Sequence, residues 1–157
     1  MSIGITPNTE RRIPATSRDV ELAVRLRLAI TRTARRLRQE AGTDLGPSQL
    51  AALATIERHG PLTPSDLADR ERVSRPTATR VLGRLVDSGL ADRLPDPADG
   101  RSAIVTVTPR GRSLLRRLRQ RKTAYLARRV RELPSEEVEA LARAAAVLER
   151  ILEDERS

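Results

Sequence analysis

The sequence predicts a mainly α-helical chain with one small β-hairpin, an α+β architecture, over 157 residues. Two observations carry this prediction. Apolar side chains recur at helical spacing near both chain ends and through the middle, the period of helices that bury one face. After Leu90 the period drops to two, and Pro95-Asp96-Pro97-Ala98-Asp99-Gly100 interrupts the run with turn-forming residues, which describes a hairpin.

The elements follow in order. Residues 1–17, rich in Pro, Thr, Ser and Arg, predict a flexible tail. From Asp19 to about Glu40, Leu22, Leu26, Ile30, Thr33 and Leu37 share one face, with Arg25, Arg32, Arg35 and Arg36 mostly off it. A second helix runs from Pro47 to Arg58, before His59 and Gly60. Thr63 is placed to cap a third, because its hydroxyl can accept an orphan amide while Pro64 fills the first helical position without loss. That helix reaches about Arg70, its small apolar face formed by Leu67 and Ala68, and Val73 is expected to enter the core behind it. Ser74 offers the next N-cap, followed by Pro76 and by Ala78, Val81, Leu82 and Leu85 at helical spacing. The end falls near Ser88, with Gly89 left-handed and Leu90 folding back as a hydrophobic contact.

Opposite the apolar stripe of this fourth helix lie Arg75, Thr77, Thr79, Arg80 and Arg84. Arginine can bond guanine O6 and N7 with both arms of its guanidinium, and Ser or Thr can reach phosphates or a thymine methyl. A helix N-terminus beginning Ser74-Arg75-Pro76-Thr77 also favours a nearby phosphate. Two short helices, a tight turn and a basic hairpin together describe a winged helix-turn-helix. At the hairpin tip Arg101 is the candidate for a narrow, electronegative minor groove. Asp96 or Asp99 is expected to hold Arg101 or Arg93 in place.

These residues resemble the MarR-type transcriptional regulators of bacteria. The likeness is carried by LGPSQLAALATIERHGPLTPSDLADRERVSRPTATRVLGRLVDSGLADR followed by DPADGRSAIVTVTPRG, and it extends roughly from Asp19 to Glu153. Asp99, Arg101, Thr108 and Gly111 fall where that family's wing signature places them. The resemblance implies a homodimer on a pseudo-palindromic operator of double-stranded DNA, a repressor released by a small-molecule effector. The organisation expected is a tail (1–17), a helical dimerisation region formed by both ends (18–46 and 109–157) and a winged DNA-binding domain (47–108). Ser74, Arg75, Pro76, Thr77, Thr79, Arg80, Arg84 and Arg101 are the expected DNA contacts, with Asp96 and Asp99 supporting the wing. The family's ligand pocket implies the first helix, the helix from Pro47 to Arg58 and Leu114 to Leu118, with Arg25 or Arg32 as partner for an anionic aromatic ligand.

Charge favours a polyanionic partner: the net charge is +9, although Lys122 is the one lysine among 30 basic residues, so a codon bias towards Arg contributes. Its distribution says more. Gly111 to Arg131 holds nine basic residues and no acidic one, with Leu114, Leu115, Leu118, Tyr125 and Leu126 as its apolar stripe. Pro134 and Ser135 open a last helix in which Val138, Leu141, Ala145, Leu148 and Leu152 form a narrow seam, the pattern a helix shows to another helix. Glu132 to Ser157 carries eight acidic and three basic residues. Two readings stay open: the two helices neutralise one another within a dimer, or the basic one touches phosphates directly.

Other function classes find little to work with. His59 is the single histidine and no cysteine is present, so neither a typical zinc site nor a thiol sensor can be assembled; no metal and no cofactor is expected. Ser65 and Ser74 lack a base partner, the carboxylates of Glu136, Glu137 and Glu139 suit a helix N-terminus, and no Gly-rich phosphate loop occurs, so the chain is not expected to be an enzyme. No apolar run approaches the roughly 18 residues a membrane span needs, and the N-terminus lacks a signal peptide's apolar core, which predicts a cytoplasmic protein without membrane contact. Two alternatives to an effector-controlled repressor are a constitutive architectural DNA-binding protein and a winged-helix scaffold for protein partners.

Overall fold

The computed structural model describes residues 16–100 and 102–154. They fall into two compact units, divided between Arg36 and Leu37. The first holds most of α1 (Ser17–Ala41). Thr16 and Asp19 open it reciprocally: the Asp19 amide donates to the Thr16 hydroxyl at 3.2 Å, and the Thr16 hydroxyl and amide donate to the Asp19 carboxylate at 2.6 and 2.9 Å. These donors, the hydroxyl first, hold the Asp19 carboxyl below its usual range. Leu22, Leu26 and Ile30, the apolar stripe of the expected dimerisation region, are exposed within the single chain.

The second unit is organised around α2 (Pro47–His59), α3 (Pro64–Glu71) and α4 (Arg75–Asp87). Each begins with Pro in its first turn and an extended residue at the cap, Gly46, Thr63 or Ser74. Their inner faces meet in one core, where Leu53, Ile56, Leu67, Leu82, Leu85 and Val105 are fully buried. With no Phe or Trp in the chain, branched aliphatics and alanine fill that space. Ala52, Ala68 and Ala78 let the three helix backbones approach closely, each buried against the others' leucines.

The wing follows. Strands β1 (Ala91–Pro95) and β2 (Ala103–Val107) pair antiparallel, with Ala91 opposite Val107, Arg93 opposite Val105 and Pro95 opposite Ala103. The period of two places Val105 and Val107 in the core and leaves Ile104 and Thr106 half-buried. Leu62 adds a rung that the sequence did not announce: its N–H donates to the Val105 carbonyl at 3.1 Å and its carbonyl accepts the Val105 N–H at 2.8 Å. A single bridging residue between Pro61 and Thr63 is too short to show a period.

Helix α5 (Pro109–Arg131) buries Gly111, Leu115 and Leu118, and α6 (Ser135–Asp154) buries none of its described residues. The basic face of α5 is partly spent inside the chain. Arg112 donates to the Val107 carbonyl at 2.7 Å, Arg119 pairs with Glu57 of α2, and Arg121 donates to the carbonyls of Ala41 and Gly42 at 2.9 and 3.3 Å. Arg129 lies 5.6 Å from the centre of the Tyr125 ring and 3.4 Å from Glu132. No helix of the described residues is long and apolar enough to cross a membrane.

Helix boundaries agree with the sequence reading within a residue or two, and among the described residues six helices with a two-stranded sheet make the expected mainly α winged helix-turn-helix. Val73 is a correction. It was expected in the core and is 41% exposed, because the turn at Arg72 carries the chain outward and the Val73 N–H is drawn to the Ala68 carbonyl at 3.0 Å. Leu67, Ala68 and Ala78 fill the space it would have taken. Val73 instead rims a cavity of about 310 Å³ among α2, α3 and α4, with Ala51, Glu71, Thr77 and Val81 around it.

Candidate nucleic-acid interface

The interface begins with the cap of α3. The Asp66 amide donates to the Thr63 hydroxyl at 3.1 Å, while the Thr63 hydroxyl and amide donate to the Asp66 carboxylate at 2.7 and 3.0 Å. This reciprocal box satisfies amides left orphaned at the helix start. The Thr63 hydroxyl and then its amide keep the Asp66 carboxyl below the ordinary carboxylate range. At the other end of α3, Glu71 accepts the Thr55 hydroxyl of α2, which fixes the helix from which the chain turns into α4. His59 is exposed at the end of α2, its Nδ1 3.3 Å from the Arg70 guanidinium.

The turn itself is one left-handed residue, Arg72, with φ 52° and ψ 45°. Ser74 then caps α4 as anticipated: the Thr77 amide donates to its hydroxyl at 3.4 Å, and the two hydroxyls lie 2.9 Å apart. The helix closes at Gly89, φ 68°, where the Gly89 N–H donates to the Val86 carbonyl and the Leu90 N–H to the Leu85 carbonyl at 2.9 and 3.0 Å. That paired closure is the one expected of a glycine C-cap, and it buries Leu90.

Between these caps α4 has two faces. Ala78, Leu82 and Leu85 are buried, and Arg75, Pro76, Thr79, Arg80 and Arg84 are exposed, together with Ser74 just ahead of the helix. Arg75, Arg80 and Arg84 form no ion pair or side-chain hydrogen bond among the described residues. Thr77 stands apart from the set it was grouped with, being half-buried, on the wall of the cavity, and bonded to Ser74. Gly83, half-buried between Leu82 and Arg84, has open space beside it, since a methyl group there would meet nothing within 4 Å. The face therefore offers three uncommitted guanidiniums and a hydroxyl along one side of a bare stretch of helix.

The wing tip is built by backbone and carboxylate bonds. The Asp96 carboxylate accepts the Ala98 amide at 2.9 Å, its own amide donates to the Ser102 carbonyl at 3.1 Å, and the Ser102 amide donates to the Asp99 carbonyl at 2.9 Å. Arg101 lies outside the described residues, and with it the expected grip of Asp96 or Asp99 on that side chain. Behind the wing, the Thr108 hydroxyl caps α5 by accepting the Gly111 amide at 3.0 Å and donates to the Gly89 carbonyl at 2.9 Å, so one side chain joins the ends of α4 and β2 to α5. Arg110 reinforces the joint by donating to the Ser88 carbonyl at 3.2 Å.

Two residues escaped the sequence reading. Arg72 is the exposed left-handed hinge ahead of α4; Asp, Asn or Gly at this turn would have signalled the conformation, and Arg does not. Thr108, known only by its place in a signature, turns out to be a joint.

Comparison with known proteins agrees with this geometry. Residues 43–102 match the model of the MarR family. Helix-turn-helix transcriptional regulators of Mycobacterium bovis and Mycobacterium leprae are 41% and 38% identical over 138 and 137 residues, each covering 87% of this chain and 96% of the relative. A crystal structure of a Pseudomonas aeruginosa protein described as a transcriptional regulator superposes with a TM-score of 0.79 at 34% identity, covering 88% of this chain and 98% of that one. A Streptococcus pneumoniae protein, FabT, solved in complex with DNA, shares the fold at a TM-score of 0.64 and 20% identity, over 85% of this chain and 98% of its own. With its capped helix pair, its left-handed turn and its two-stranded wing, the chain belongs to the MarR family of helix-turn-helix transcriptional regulators.

Proposed function

We propose that this regulator acts as a cytoplasmic homodimeric repressor that reads an inverted-repeat operator, with α4 in the major groove and the wing in the minor groove, and that a small ligand releases it. The observation that carries the reading is the two-faced α4: a buried Ala78, Leu82 and Leu85 stripe fixes the helix while Arg75, Arg80 and Arg84 stand exposed without partners among the described residues. Buried charge-free packing on one side and uncommitted guanidiniums on the other are what rigid presentation to base edges requires. That a protein sharing this fold has been solved in complex with DNA is in keeping with a DNA-binding role.

Dimerisation rests on apolar side chains left in water. Leu22 and Ile30 on α1, and Leu141, Ile151 and Leu152 on α6, are each about half exposed in the single chain, and apolar faces left in water on each helix are the kind a partner covers. For release, a cavity of about 340 Å³ bounded by Thr43, Asp44, Ser88, Arg110, Leu114 and Arg117 suits a small anion. It touches the end of α4 at Ser88, so occupancy there can shift the helix that reads DNA.

Arg80→Ala tests the reading. The loss of one bidentate base contact weakens binding by about 1–3 kcal/mol per half-site and relaxes preference at one base pair, measured by titrating labelled duplexes. Unchanged affinity and unchanged base preference would remove α4 from the reading role.

A further inference from the structure

Arg72 breaks a backbone rule at the edge of the exposed face of α4. Among the described residues it is the single non-glycine residue at positive φ; the others are Gly42, Gly60 and Gly89. In that conformation an L side chain crowds the following carbonyl, a cost that glycine escapes. Three turns of this chain thus use glycine, and the turn into α4 uses arginine.

Nothing in the described chain repays the exception. The Arg72 side chain is exposed and forms no ion pair or hydrogen bond among the described residues, whereas Arg112, Arg119 and Arg121 are all tied to carbonyls or a carboxylate. The adjacent acid, Glu71, is committed to the Thr55 hydroxyl. Residues held against local preference cluster where function requires the side chain.

We propose that Arg72 is a phosphate-binding residue that grips the DNA backbone at the edge of the half-site. It stands two residues before the Ser74 cap and three before Arg75, so its guanidinium adds a charge beside the positive end of α4. A phosphate contact fixes position and carries no base preference. The inference rests on the DNA-reading proposal above and extends it from base edges to the backbone.

The test compares wild type, Arg72→Gly and Arg72→Lys, each titrated across a salt series against a duplex recovered by in vitro selection and against a scrambled duplex of equal length. Arg72→Gly is expected to melt higher than wild type, because its turn is relaxed. It should nonetheless bind both duplexes more weakly, by about fivefold per lost contact near 0.15 M salt, with a log–log salt slope shallower by about 0.9 for each phosphate released. Arg72→Lys keeps the charge and should retain the wild-type slope. If Arg72→Gly binds both duplexes with wild-type affinity and slope while wild type still prefers the selected one, the role of Arg72 is overturned and the reading by α4 stands. A wild type that binds no duplex overturns both.

Discussion

Gly111 shows how much one missing side chain can decide. A Cβ built there would lie 2.2 Å from the Leu90 carbonyl oxygen and 2.8 Å from a Val107 methyl, so only a bare backbone lets the first turn of α5 sit against the end of α4. The same carbonyl accepts the Thr108 amide at 3.1 Å, and neither it nor the helix can withdraw without breaking the joint. Gly111→Ala is therefore expected to cost about 3 kcal/mol, at the upper end of overpacking penalties, because the clash is with backbone. Urea unfolding of the variant measures it, and a loss below about 1 kcal/mol would mean the joint is softer than its geometry. Gly111 stands out in the sequence only through its place in the family's wing signature; the reason for it lies in a contact with Leu90, 21 positions away, which no local pattern encodes. Ser74 and Thr63 were legible as caps. Arg72 was hidden because arginine carries no turn signal.

At the scale of elements, caps did most to make the helices legible. Thr63-Pro64-Ser65-Asp66 and Ser74-Arg75-Pro76-Thr77 announce helix starts by chemistry alone, and both starts fall where expected. The α3 cap should show in the pH dependence of stability. Asp66 is held below its unfolded value of about 3.9 by the Thr63 hydroxyl and amide, so its contribution is present above about pH 4 and is lost as pH falls through the folded pKa. Thr63→Ala is accordingly expected to lose about 1 kcal/mol at pH 7, with the gap from wild type narrowing near pH 3. A gap that stayed constant with pH would assign the cap to Thr63 alone, without the carboxylate. What the sequence could not show at this scale was tertiary: the lone Leu62 rung depends on its distance from Val105, and the outward path of Val73 depends on which neighbours reach the core first.

For the whole molecule, the amphipathic ends were legible as stripes and their destination was not. Leu22 and Ile30 in one unit and Leu141 and Leu152 in the other are exposed in a single chain, which is the surface the proposed dimer would cover. Of the nine basic residues from Gly111 to Arg131, Arg112, Arg119 and Arg121 act as internal ties that hold α5 to β2, α2 and the loop after α1, a use that neither charge reading of the sequence included. Arg72, Arg75, Arg80 and Arg84 are exposed along α4 and the turn before it, the face proposed above to meet a duplex. Two such faces related by a two-fold axis would read half-sites about 34–36 Å apart, one turn of DNA. Selection of duplexes from a random library by the purified full chain, at near-physiological salt and followed by sequencing, tests that arrangement most directly. One inverted repeat with half-sites about one turn apart is the predicted outcome; enrichment of nothing beyond duplex in general would contradict it, and would return the exposed arginines of α4 to ordinary surface charge.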